Sequence, residues 1–174
     1  MADLLVKLYT LPDVAPLLAS LAQCGIEIRQ AHPAEKGFLA EWIRERFPGP
    51  WAAESLVALG QRPVTCYLAV RRNATPEPGG PPWAPPSETL LGFSCHDVTR
   101  KGMFGPMAVR EDWRGLGIGK ALLVTSLRAM AAEGYGYAVI GWAGPVNFYA
   151  KAVGATVIPD SEPGVFRGPL VAEG

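Results

Sequence analysis

The segment Met107–Glu133 constrains the fold more than any other stretch of the chain. A short apolar run, Met107-Ala108-Val109, gives way to the charged residues Arg110, Glu111 and Asp112. Arg114-Gly115-Leu116-Gly117-Ile118-Gly119 then leads into a long run with Ile118, Leu122, Leu123, Leu127 and Met130 at helical spacing. The pattern is a strand, a tight glycine-rich turn and the N-terminus of an amphipathic helix. Glycines let the backbone take positive φ and let another group approach without a Cβ in the way. Successive N–H groups then converge on one concavity, where the helix dipole adds positive potential. Phosphates bind such places, and Arg114 and Lys120 set full positive charges at the rim. The expectation is a phosphate-bearing ligand at the start of this helix.

The spacing narrows the ligand class. A P-loop needs a Gly five residues before Gly-Lys-Ser/Thr. Here Arg114 stands at that place, and Ala121 follows Gly119-Lys120. The dinucleotide pattern G-x-G-x-x-G fails as well, because Lys120 occupies the third Gly position. What fits is Arg114-x-x-Gly117-x-Gly119. This resembles the acyl-CoA-binding motif of the GCN5-related N-acetyltransferase (GNAT) family, Arg/Gln-x-x-Gly-x-Gly/Ala, at every defined position. The resemblance implies that Arg114, Gly115, Leu116, Gly117, Ile118, Gly119 and Lys120 hold the cofactor phosphates. It also implies that Met107, Ala108 and Val109 pair with the pantetheine arm, and that the cofactor is acetyl-CoA.

A second segment carries the same resemblance. Asn147-Phe148-Tyr149-Ala150-Lys151-Ala152-Val153-Gly154 is similar to the family's F-Y-x-K-x-G-F, with one residue more before the Gly. In that family a Tyr here often hydrogen-bonds the CoA sulfur and protonates the departing thiolate. Tyr149 matches it, and a phenol can supply that proton. Many members carry an Asn seven residues before the Tyr, against the pantetheine arm. Here that position is Trp142, and Asn147 is the nearest Asn, carried over as a cofactor contact. Family members often use a Glu on the fourth strand as base, but residues 102–109 contain no carboxylate. His96, at the end of the preceding strand, titrates in the useful range and is the candidate base; Glu41 and Glu45 are weaker candidates.

Composition bounds the rest. At 174 residues, 49% of them apolar, the chain suits one domain with a sizeable core. A formal net charge of zero gives no electrostatic case for nucleic acid. No apolar run is long enough for a membrane span, and the first residues lack a cleavable leader. Cys24, Cys66 and Cys95 show no metal spacing and are odd in number, so buried thiols in a reduced, cytoplasmic protein are expected.

Taken in order, strands are expected at residues 4–9, 26–29, 65–70, 90–97, 102–109, 137–142, 156–158 and 165–170. Helices are expected at 12–24, 32–47, 51–59, 117–133 and 146–152. In the second helix Phe38, Leu39, Trp42, Ile43 and Phe47 form the apolar stripe. The nearly all-apolar strand 137–142 reads as buried on both faces. Residues 72–89, with Pro76, Pro78, Pro81, Pro82, Pro85 and Pro86, exclude helix and central strand. They read as an insertion at a hairpin tip, with Trp83 inside it. This order predicts an α/β fold: a mixed, mostly antiparallel sheet with helices on both faces, GNAT-like, in one domain over residues 1–174. Residues 1–24 form an N-terminal β–α extension that covers a sheet edge or joins two subunits as a homodimer.

The function implied is transfer of an acetyl group from acetyl-CoA to a primary amine of a small molecule. The acceptor cleft is expected between Phe47–Trp51, Met103–Phe104, Trp142 and residues 159–164. Three alternatives stand beside it. One is an acyl-CoA-binding or sensing module with a weak active site, another a protein or peptide N-acetyltransferase, and the last a nucleotide binder of another kind.

Overall fold

The computed structural model describes residues 1–73 and 87–165. Trp83, most of the proline-rich connection and the expected strand at 166–170 lie outside them.

Seven strands form one sheet in the order β2-β3-β4-β5-β6-β1-β7. They are β1 (Leu4–Lys7), β2 (Ile26–Gln30), β3 (Cys66–Arg72), β4 (Glu88–His96), β5 (Met103–Val109), β6 (Tyr137–Ile140) and β7 (Thr156–Val157). Five α-helices pack on it: α1 (Ala15–Gln23), α2 (Lys36–Arg46), α3 (Trp51–Gly60), α4 (Ile118–Ala132) and α5 (Val146–Val153). Every strand pair is antiparallel except β5–β6, which the α4 crossover makes parallel. The predicted mixed sheet is therefore the observed one.

The core lies in two layers. On one face α2 and α3 set Leu39, Trp42, Ile43 and Leu59 against Cys66, Leu68, Phe93 and Cys95. On the other, α1 and α4 cover Ile26, Ala69 and Leu91. There α4 and α5 also cover Leu4, Val6, Phe104, Ala138 and Ile140. Strand alternation places Gly92 and Ser94 under α4, and a Cβ on Gly92 would stand 2.6 Å from the Ala108 carbonyl oxygen of β5. Gly92→Ala should therefore destabilise the domain by about 2 kcal/mol, as overpacking does. A urea midpoint unchanged from wild type would show that β4 and β5 can part freely.

Three expectations change. Phe38 is exposed, because α2 buries only Leu39, Ala40, Trp42 and Ile43. The β6 strand stops at Ile140 and is buried on one face alone: Ala138 and Ile140 are covered by α4, while Tyr137 is half exposed and, among the described residues, no helix covers its side. Cys24 is exposed just beyond α1, whereas Cys66 and Cys95 are buried opposite each other across β3 and β4. Strand β7 pairs with β1, and the second strand of the expected terminal hairpin lies almost wholly outside the described residues. The N-terminal strand thus lies inside the sheet, between β6 and β7. No described helix is long and apolar enough to cross a membrane.

Candidate active site

The turn between β5 and α4 has the conformation its glycines permit. Gly115 and Gly117 take φ of 88° and 87°, in the left-handed region that side chains avoid. Gly117 is the N-cap of α4, and no side chain caps the helix. Its first turn carries no acidic residue either. The orphan N–H groups of this 15-residue helix are thus left to an external acceptor. Ile118 is buried in the core, so only its backbone is available at the turn. Leu116 is exposed. Lys120 is exposed, with no hydrogen bond or ion pair among the described residues. Arg114 donates from Nε to the Val109 carbonyl at 3.3 Å, which ties the turn back to β5. Two supports were not evident from the motif: the Arg71 guanidinium lies 5.0 Å over the Trp113 ring, and Leu17 of α1 packs against Gly117.

Beside the turn the sheet opens. The strands β5 and β6 are paired only at Met103–Val139 and Phe104–Ile140. The rest of β5, Gly105–Val109, has β4 on one side and, among the described residues, no strand on the other. Arg110 N–H donates to Leu91 of β4, so strand alternation turns the Met107 and Val109 backbone groups toward the opening. The Arg114 bond to the Val109 carbonyl fits that direction. An extended amide chain can pair there as an added strand.

The helix α5 closes the opening. An added Cβ on Gly119 would lie 3.7 Å from both Phe148 and Val109. The first turn of α4, the end of β5 and α5 therefore meet at one place, and the two sequence segments that carry the resemblance are neighbours in space. Asn147 is exposed on α5 beside Phe148. Tyr149, one residue further, is only 8% exposed. Among the described residues its hydroxyl has no hydrogen-bond partner, yet it is not sealed off from solvent. Burial pushes its phenol up to about 12, so it stays protonated and can donate at neutral pH.

His96 is placed differently. It is 1% exposed, on the α4 face, with Nε2 3.2 Å from Glu133 Oε1 and Nδ1 without a partner. Asp97 is next to it, and one ligand-type atom from each of His96, Asp97 and Glu133 falls within 4.8 Å of the others. Hydrogen bonds account for this group: Asp97 accepts from Gly102 N–H at 2.7 Å and from the Tyr135 hydroxyl at 2.9 Å, with Lys101 Nζ 3.6 Å away. Together they latch the β4–β5 turn to the end of α4. The expected acceptor cleft is only partly assembled. Phe47 and Trp51 pack with Trp42 and Phe93 beside α2 and α3, while Phe104 is buried on the other face. Trp142 lies beyond the end of β6, half exposed.

Comparisons with known proteins agree with this geometry. No curated protein matches the chain. A glucosamine N-acetyltransferase region, GCN5-related, of a fungal multi-domain GH3 β-N-acetylglucosaminidase superposes with a TM-score of 0.67 at 13% identity. The match covers 90% of this chain and 19% of that one. A GCN5-related N-acetyltransferase from Sphaerobacter thermophilus superposes with a TM-score of 0.62 at 21% identity, over 90% of this chain and 48% of the other. The chain thus spans less than half the length of either, and at these identities the likeness is one of fold. The profile of the acetyltransferase (GNAT) family matches residues 36–155, which include β5, the glycine turn, α4 and α5. With well over half its length matched, the chain belongs to the GNAT family of acetyltransferases.

Proposed function

We propose that this protein transfers an acetyl group from acetyl-CoA to the primary amine of a small molecule. The observation that carries the reading is the uncapped N-terminus of α4, entered through two left-handed glycines beside the unpaired edge of β5. The α4 turn takes the diphosphate, with Arg114 and Lys120 as counter-charges. The edge of β5 takes the pantetheine amides, and the acyl end comes to rest near Tyr149. The Met107 N–H polarises the thioester carbonyl. The amine nitrogen forms the new bond to the carbonyl carbon, the C–S bond breaks, and the Tyr149 hydroxyl gives its proton to the sulfur. The amine proton leaves to water, because His96, the base expected from the sequence, is buried in its pair with Glu133.

Calorimetric titration with acetyl-CoA, with ATP and NAD as controls, tests the cofactor. Saturable binding of acetyl-CoA alone is expected. Equal binding of ATP would return the site to a general nucleotide binder, and no binding would make the turn purely structural. An amine panel then follows, with amino sugars included because the fungal relative carries a glucosamine N-acetyltransferase region. Binding without turnover of any amine would favour the acyl-CoA-sensing reading, for which the absence of a carboxylate on β5 already speaks.

A further inference from the structure

Asp3, the last residue before β1, is a carboxylate only 5% exposed. Its Oδ1 accepts from the Trp142 N–H at 2.9 Å. Trp142 stands two residues after β6 and has φ of 53°, a conformation that a bulky residue keeps only when its surroundings hold it there. The backbone of Asp3 also holds the loop after β7, with Gly164 close to its carboxylate. A Cβ on Gly164 would stand 2.9 Å from Asp3 Oδ1, the Asp3 N–H donates to the Ser161 hydroxyl at 2.9 Å, and Ile158 N–H donates to the Asp3 carbonyl at 2.9 Å. One residue from the N-terminal segment thus joins the turn after β6, through its side chain, to the loop at 158–164, through its backbone.

The place of that turn gives the bond its meaning. The last β5–β6 pair is Phe104–Ile140, and Trp142 is two residues beyond it. It therefore stands where the strands have parted, opposite the β5 residues whose backbone faces the opening. Trp142 is 49% exposed there.

We propose that Asp3 is a positioning residue, which holds Trp142 as the apolar wall of the acyl end of the cofactor groove. The inference rests on the acetyl-CoA reading above. It makes the N-terminal extension part of the site, not an appendage to the sheet.

The test compares two probes, acetyl-CoA and adenosine 3′,5′-diphosphate, which has a phosphate but no pantetheine arm. Asp3→Ala should weaken acetyl-CoA binding about tenfold, the scale of a lost hydrogen bond to a charged group, and leave the diphosphate unchanged. Asp3→Asn keeps an oxygen that accepts from Trp142 N–H, and should bind acetyl-CoA within about twofold of wild type on the same scale. Trp142→Ala, at a half-exposed position, should reproduce the selective loss without depending on how Asp3→Ala folds. A lower melting temperature for Asp3→Ala, with acetyl-CoA affinity unchanged in both alanine variants, would overturn the proposal and leave Asp3 a purely structural residue. Failure of the wild type to bind acetyl-CoA would instead sink the cofactor reading itself.

Discussion

Gly119→Asp should abolish acetyl-CoA binding while the protein stays folded. The position is in the first turn of α4, with ordinary backbone angles and only van der Waals neighbours at 3.7 Å for an added Cβ. A carboxylate there suits the positive end of the helix, so the melting temperature should hold or rise slightly. It would, however, stand where the diphosphate is expected and repel it. A loss of at least about 100-fold in affinity, near 2.7 kcal/mol, is expected by calorimetry. Unchanged affinity would remove the turn from the cofactor site. Gly117 is a poorer choice for this test. Its φ of 87° strains any side chain, and its Cβ would meet Leu17 at 2.8 Å, so affinity and stability would fall together. The motif admits Ala at position 119 but not at 117, and the left-handed φ and the packing of α1 account for the difference.

Tyr149→Phe should bind acetyl-CoA as the wild type does and turn over about 100-fold more slowly, the lower range for loss of a positioned proton donor. Stability should change little, because the hydroxyl makes no hydrogen bond to the described residues. The pH profile adds a sharper criterion. A general acid works while protonated, and burial raises this phenol to about 12. The proton is therefore present throughout the neutral range and is lost only as pH climbs past the raised value. Wild-type turnover should show no fall from Tyr149 at pH 10, where an ordinary tyrosine would be half ionised. Equal turnover in the Phe variant would return Tyr149 to the core cluster it shares with Phe104 and Leu127.

The fold was legible where local chemistry decides it. Glycines at 25, 117, 134 and 154 take positive φ at helix ends or entries, and their places in the sequence mark those boundaries. His32-Pro33-Ala34-Glu35 announces a helix start, and His32 and Glu35 do cap one another's backbone there. What the sequence does not display is partnership over distance. The Leu4–Lys7 run reads equally well as edge or interior strand, because its neighbours lie more than a hundred residues away. Phe38 has the right spacing for the stripe of α2, but the buried face of the helix is centred on Leu39, Trp42 and Ile43 and leaves it outside. At the site, the turn and Tyr149 were marked by short local patterns. His96 was singled out for its titration range alone, and burial beside Glu133 is a property of the fold. Asp3 and Leu17 carried no signal, since a carboxylate before an apolar strand and a leucine on an apolar helix face are both unremarkable by themselves.

The interior place of β1 also sets the order in which the chain can fold. The antiparallel run β2–β5 joins strands that follow one another, so it can assemble while synthesis continues. The first strand to be made cannot join it: Leu4 must wait for Ile140 and then for Val157. Closing a loop of that length costs about 4 kcal/mol in chain entropy, repaid only when β1, β6 and β7 pair together. Until then Leu4 and Val6 stay exposed in a nascent chain, and the half of the groove that contains Trp142 and Tyr149 is the last part of the protein to take shape.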